Sequence, residues 1–151
     1  MSCFPDTSFL CALYRTQVHS TRADHFMAGL AGRPLGISSL LLFEFRQSVR
    51  LQMRLHLNDR SKGFARTEGQ QMLNDLQIDL NAGIIATIPV DWSAVHQRAE
   101  ALSSAHTLIG GHRLADILHV ATALHLGVSE FLTFDGNQKK LAESEGLVVP
   151  V

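Results

Sequence analysis

The sequence predicts an α/β domain with a central, mainly parallel sheet between helical layers, a three-layer α/β/α arrangement. Three observations predict it. Short apolar segments alternate with longer ones whose apolar residues recur at the helical period. Cap-competent residues open several of the longer segments, and glycines close most of them. Acidic residues stand at the ends of two of the short segments, where open parallel sheets build their sites. With 151 residues, positions 1–151 are expected to form one domain around one core.

The elements follow in order. Ser2–Pro5 is the first strand, with Pro5 unable to donate to a ladder. Thr7–Arg15 and Thr21–Leu30 are helices, the second ended by Gly32 and Pro34. Leu35–Ile37 is a brief strand. Ser38 or Ser39 caps a long helix reaching about Leu57, and Asn58–Gly63 is a polar turn. Thr67, with Gln70 three residues on, opens a helix to about Asn81, stopped by Gly83. Ile84–Val90 is a strand, and Asp91 caps a helix to about Ala105. After the loop at Gly110-Gly111, Arg113–Leu126 forms a strongly apolar helix ended by Gly127. Glu130–Phe134 is a strand, Gly136–Glu145 a helix, and Leu147–Val149 a last short strand.

Composition narrows the function classes. The formal net charge is −1, so no global field draws nucleic acid and any such binding has to come from a local patch. Hydrophobic residues at 46% support a packed core. Cys3 and Cys11 are too few for a disulfide framework and lack zinc-finger spacing. With no basic-then-apolar leader before Asp6 and no apolar run near membrane length, a cytoplasmic protein is expected.

Four acids carry the chemistry: Asp6, Glu44, Asp116 and Asp135. Each follows or interrupts an apolar segment. A carboxylate at an apolar position is costly unless paired, protonated or bound to a cation. Four such acids, far apart in sequence, point to one shared hard-metal site. Carboxylates favour Mg²⁺ or Mn²⁺. On the long helix, Leu41, Leu42, Phe45, Val49, Met53 and Leu55 define an apolar face with Glu44 at its edge. Arg46, Arg50 and Arg54 fall on the opposite stripe. On the later helix, Leu114, Ile117, Leu118, Ala121 and Leu124 form one stripe, with Asp116 roughly opposite beside His112 and His119. Asp116 also stands three residues after Arg113, within reach of an ion pair. His112, Asp116 and His119 have i, i+4, i+7 spacing, a weak zinc pattern.

Positive charge concentrates in one stretch. Arg46, Arg50, Arg54, Arg60, Lys62 and Arg66 lie where Asp59 is the sole acid. They form either a phosphate-tracking surface or an ordinary solvated face. Lys139 and Lys140, just beyond Asp135, are further candidate phosphate contacts. With one Trp and one Tyr, base-stacking recognition has little support.

Four segments together resemble the PIN-domain family over nearly the whole chain. They are Asp6-Thr7-Ser8-Phe9-Leu10, Phe43-Glu44-Phe45, the run Leu114–Ala123 around Asp116, and Leu132-Thr133-Phe134-Asp135 followed by Leu141-Ala142 and Gly146-Leu147. The small size is similar to VapC-type toxins of bacterial toxin–antitoxin pairs. Pro5, the lengthy Gln52–Gly69 region and Asn137 depart from the minimal pattern. The resemblance implies a metal-dependent endoribonuclease that hydrolyses RNA phosphodiester bonds. It implies Asp6, Glu44, Asp116 and Asp135 as catalytic metal ligands, with Mg²⁺ or Mn²⁺ as cofactor. Thr7, Thr133 and Asn137 are candidates to support them. It further implies an RNA substrate, a cognate antitoxin seated in a groove, and a homodimer. Phe9, Leu10, Leu13, Tyr14, Phe26, Met27 and Leu30 are candidates for core or groove. The alternatives are a non-catalytic PIN-like module binding RNA or protein, and a haloacid-dehalogenase-type phosphatase. The phosphatase needs an acid two residues after its nucleophile, and that position is Ser8.

Overall fold

The computed structural model describes residues 1–151. The chain runs β1 (Cys3–Pro5), α1 (Thr7–Tyr14), α2 (Ser20–Gly29), β2 (Leu35–Ile37), α3 (Ser39–Asn58), α4 (Arg66–Ala82), β3 (Ile85–Thr87), α5 (Trp92–Gly110), α6 (Leu114–His125), β4 (Glu130–Leu132) and α7 (Gly136–Ser144). β1 pairs in parallel with β4, Phe4 opposite Phe131, and β2 pairs in parallel with β3, Gly36 opposite Ala86. β1 lies beside β2, so the strands run in the order β3, β2, β1, β4. The ladder is interrupted between the two pairs. All pairing is parallel, as the sequence predicts. The expected last strand shrinks to a single parallel bridge between Val148 and Glu130.

Local chemistry sets most boundaries. Asp6, Ser38, Asp91 and Asp135 cap α1, α3, α5 and α7, each side chain accepting from a backbone N–H of the first turn. β3 is shorter than expected and ends at Thr87, two residues before Pro89, which cannot extend a ladder. α4 starts after Ala65 with no side-chain cap, so Thr67 sits inside its first turn rather than before it. α5 runs past the expected stop at Ala105 to Gly110, where Gly111 (φ +64°) supplies the left-handed residue that closes it.

The core gathers Phe4, Phe9, Leu10, Leu35, Ile37, Leu41, Phe45, Ile85, Phe131 and Leu132 around the strands. Two periodic readings need correction. On α3, Leu41, Phe45 and Val49 are buried, but Leu55 is exposed, because the helix outruns the core. On α6 the expected stripe is buried at Ile117 and Ala121 and half-buried at Leu118 and Leu124, but Leu114 is 76% exposed, and the buried surface widens to take in Asp116, His119, Val120 and Ala123. This helix packs against α5, α7 and β1, which turns its acid-bearing face inward. Of the groove candidates, Phe9, Leu10 and Leu30 are buried, and Leu13, Tyr14, Phe26 and Met27 pack half-buried against the core. They are core residues, not an open groove. The large exposed apolar side chains lie elsewhere, including Phe43, Leu108, Ile109 and Leu114. No helix is long and apolar enough to cross a membrane.

Candidate active site

A cleft of about 350 Å³ opens where α1, α3, α6 and the loop after β4 meet. Glu44, Asp116 and Asp135 line it, together with Thr7, Ser8 and Arg113. Asp6 does not line the cleft; it lies fully buried beside Ser8. The topology explains the meeting. Asp6 follows β1, Asp135 follows β4, and those strands are paired neighbours. α3 and α6 bring Glu44 and Asp116 to the same end.

Asp6 is satisfied from within. Its Oδ1 accepts from the Ser8 hydroxyl at 2.7 Å and the Phe9 N–H at 2.9 Å, and its Oδ2 accepts from the Thr133 hydroxyl at 2.5 Å. Burial nevertheless pushes its carboxyl above the ordinary range, because these hydrogen bonds only partly offset the loss of water. Ser8 in turn accepts the Phe134 N–H at 2.8 Å, and Thr133 accepts the Asp135 N–H at 3.0 Å. These bonds tie the loop after β4 to the start of α1. The Phe134 ring stacks on Phe9 and on His19, with centroids at 6.0 and 4.4 Å, which adds aromatic packing to the same loop.

Glu44 Oε2 accepts from the Thr7 hydroxyl at 2.5 Å and is hydrogen-bonded to His119 Nε2. Partial burial raises its carboxyl, but the hydrogen bond and charge of His119, with the Thr7 hydroxyl, outweigh that and leave it below the ordinary carboxylate range. His119 is 1% exposed, and its Nδ1 is buried without a partner. Asp116, only 4% exposed, accepts at Oδ2 from both the backbone N–H and the Nε of Arg113, each at 3.2 Å. The ion pair with Arg113 anticipated from the spacing is therefore present. Arg113 Nη2 also stands 3.9 Å from Asp135 Oδ2. Asp135 Oδ1 caps α7 through the N–H groups of Asn137 and Gln138, at 2.8 and 3.0 Å.

The remaining candidates fall less centrally. Asn137 donates its side-chain amide to the Gly110 carbonyl at 3.2 Å and does not line the cleft. None of Arg46, Arg50, Arg54, Arg60, Lys62, Arg66, Lys139 and Lys140 lines the cleft. Arg46 donates to Gln77, Lys62 pairs with Asp59, and Lys139 pairs with Glu143. The zinc pattern fails. His112 precedes α6, whose N-cap is Arg113, so the helical spacing does not apply, and His119 is turned to Glu44. No three His, Cys, Asp or Glu side chains stand close enough together to hold one metal ion. That excludes an all-protein cage, not a magnesium-type site, since Mg²⁺ binds through one or two carboxylates plus waters and substrate oxygens. Asp116 and Asp135 fit that demand: both carry hard oxygen donors, and one guanidinium already reaches both.

Two residues of the site were undervalued by sequence reasoning. In sequence Arg113 reads only as a partner of Asp116, yet it is the one basic residue lining the cleft. In sequence His119 carries a weak zinc spacing and otherwise reads as a hydrogen-bonded packing histidine. Its signal was its place three residues after Asp116, on the same side of α6.

Comparison with known proteins gives a consistent picture. The sequence model of the PIN domain family matches residues 3–144. No curated protein sequence matches the chain. Among solved structures, VapC20 of Mycobacterium tuberculosis, a toxin that cleaves the sarcin-ricin loop, is similar at 20% identity and a TM-score of 0.67, covering 97% of both chains. VapBC2 of Rickettsia felis, bound to a DNA fragment from its promoter, is similar at 16% identity and a TM-score of 0.67, covering 99% of this chain and 97% of that one. FitAcB of Neisseria gonorrhoeae is similar at 18% identity and a TM-score of 0.60, covering 97% and 95%. At these identities the likeness speaks for the fold.

Proposed function

Because this chain belongs to the PIN domain family, we propose that it is a divalent-metal-dependent endoribonuclease, the toxin of a bacterial toxin–antitoxin pair. The observation that carries this reading is the meeting of Glu44, Asp116 and Asp135 in one cleft, with Asp6 buried beside it. In this reading Asp116 and Asp135 hold Mg²⁺ or Mn²⁺, and the buried Asp6 charge adds to the field that retains it. When bound, the ion supplies activation of water for attack and offsets charge at the phosphate.

The chain's own residues do the rest. Glu44, kept ionised by His119 and Thr7, is the group positioned to orient the attacking water and take its proton. Ser8 and Thr133 lock Asp6 and the β4 loop, so the acids keep their relative places when substrate arrives. Arg113 and the basic stretch from Arg46 to Arg66 supply positive charge toward the RNA backbone. The sarcin-ricin loop cleavage of VapC20 supports a folded RNA as substrate class.

An antitoxin and a second copy of the chain complete the reading. The likeness to VapBC2 supports a protein partner. The chemistry is tested by incubating purified wild-type, D116N and D135N proteins with total RNA. Cleavage by wild type and loss in both variants is expected; wild-type rates in both variants sink the reading. The toxin role is tested by inducing each protein in cells. Growth arrest by wild type, absent in D116N, is expected.

A further inference from the structure

We infer that Arg113 is the built-in counter-cation of the acidic cleft and competes with a divalent metal ion for Asp116 and Asp135. The inference rests on reading the cleft as a cation site. Its ground is the placement of one guanidinium. Arg113 Nε is 3.2 Å from Asp116 Oδ2, and its Nη2 is 3.9 Å from Asp135 Oδ2. The oxygens it engages belong to two acids proposed to hold the metal. No other basic side chain lines the cleft.

The burial pattern makes this a contact built to exchange. The Asp116 side chain is only 6% exposed, so its charge has little water and requires a cation. The Arg113 side chain is 77% exposed and finds no other protein acceptor, so it loses little on swinging out. Its backbone N–H is separately bonded to Asp116 Oδ2 at 3.2 Å, as the N-cap of α6. The side chain can therefore leave while the helix start stays in place. An ion arriving at Asp116 meets an oxygen already engaged twice, once by backbone and once by guanidinium. Displacing the guanidinium leaves that oxygen with its backbone bond alone and uncovers the side of Asp135 facing it. The released cation then sits at the rim of the cleft, where a phosphate would follow the metal in.

The test is the affinity of the full chain for Mn²⁺, read from the free-ion electron paramagnetic resonance signal after chelator treatment and dialysis. Wild type, R113Q and R113K are compared, each checked for an unchanged helical spectrum. R113Q is expected to bind Mn²⁺ about fivefold more tightly than wild type, the gain expected when an exposed ion pair near the top of its usual range no longer competes. R113K should fall between, because the ammonium keeps the charge but not the two-pronged geometry. Equal or weaker binding by R113Q overturns the inference and leaves the metal site standing. Should R113Q not fold, R113K carries the test, and binding no tighter than wild type overturns it. Absence of Mn²⁺ binding in all three overturns the inference and the metal reading together.

Discussion

His119 of α6 meets Glu44 of α3, 75 positions earlier, through Nε2 and Oε2, and the two side chains are 1% and 32% exposed. The pairing turns a half-buried acid into one that stays ionised. Burial alone would raise the Glu44 carboxyl; His119 and Thr7 bring it below the ordinary range. His119→Gln or Thr7→Val should therefore slow RNA cleavage, by about 10- to 100-fold for a residue that orients another. The sign for pH follows. Removing groups that favour the charged form raises the Glu44 pKa, so the acidic limb of the pH–rate profile moves to higher pH. An equal loss at all pH values would assign His119 to packing alone.

Asp6 titrates in the opposite sense. Its carboxyl is raised by burial, so at neutral pH its ionisation opposes folding, and the protein gains stability from this group as pH falls toward the raised value. Asp6→Asn keeps an acceptor for Ser8 and Phe9 and can donate to Thr133, while removing the buried charge. The variant should lose cleavage yet melt at the same temperature as wild type or about 2–4 °C higher, the shift that roughly 1 kcal/mol gives a chain of this length. The difference in melting temperature should shrink as pH is lowered. A large drop in melting temperature at pH 7 would show that the charge itself holds the fold.

Cys11 also lines the cleft, but its thiol is pushed up to about 11 by burial, with the nearby Asp6 and Glu44 charges adding to the effect. Alkylation by iodoacetamide should be slow at pH 7 and accelerate through pH 10, as the thiolate forms. Rapid labelling of Cys11 at neutral pH, followed by mass spectrometry, would contradict the burial that raises its thiol.

The basic stretch stands away from the cleft, so it should act on encounter rather than on chemistry. The triple variant R50Q/R54Q/R60Q should raise KM with kcat nearly unchanged. It should also reduce the salt slope of RNA binding by about 2 to 3, the effect of three lost phosphate contacts across single-stranded and paired regions of a folded RNA. An unchanged slope would leave these arginines as an ordinary solvated face.

The order of strands and helices was legible because it is local, and so were the caps Ser38 and Asp91; the caps at Asp6 and Asp135 were hidden because the same carboxylates read as metal ligands. Periodicity gave less on α6. Leu114, Leu118 and Leu124 are more apolar than Asp116, His119 and Thr122, yet the latter three are the buried ones. A buried polar face satisfied by distant partners such as Glu44 and Arg113 is invisible to a hydrophobic pattern. The side chains of α1 and α2, open in sequence between core and groove, resolve as core, because which apolar side chains a fold covers depends on neighbours that the local sequence does not name. The four acids stood out because carboxylates at apolar positions need an explanation. Their partition into three that line a cleft and one buried beside it depends on β1 pairing with β4 across more than a hundred residues.

The most direct measurement is cleavage of total RNA by chelator-treated wild-type protein, before and after Mg²⁺ or Mn²⁺ is restored, with D116N alongside. The shared-cation reading predicts no cleavage in chelator, full recovery with either ion in wild type, and none in D116N. Cleavage that persists in chelator, or recovery of D116N to the wild-type rate, contradicts it.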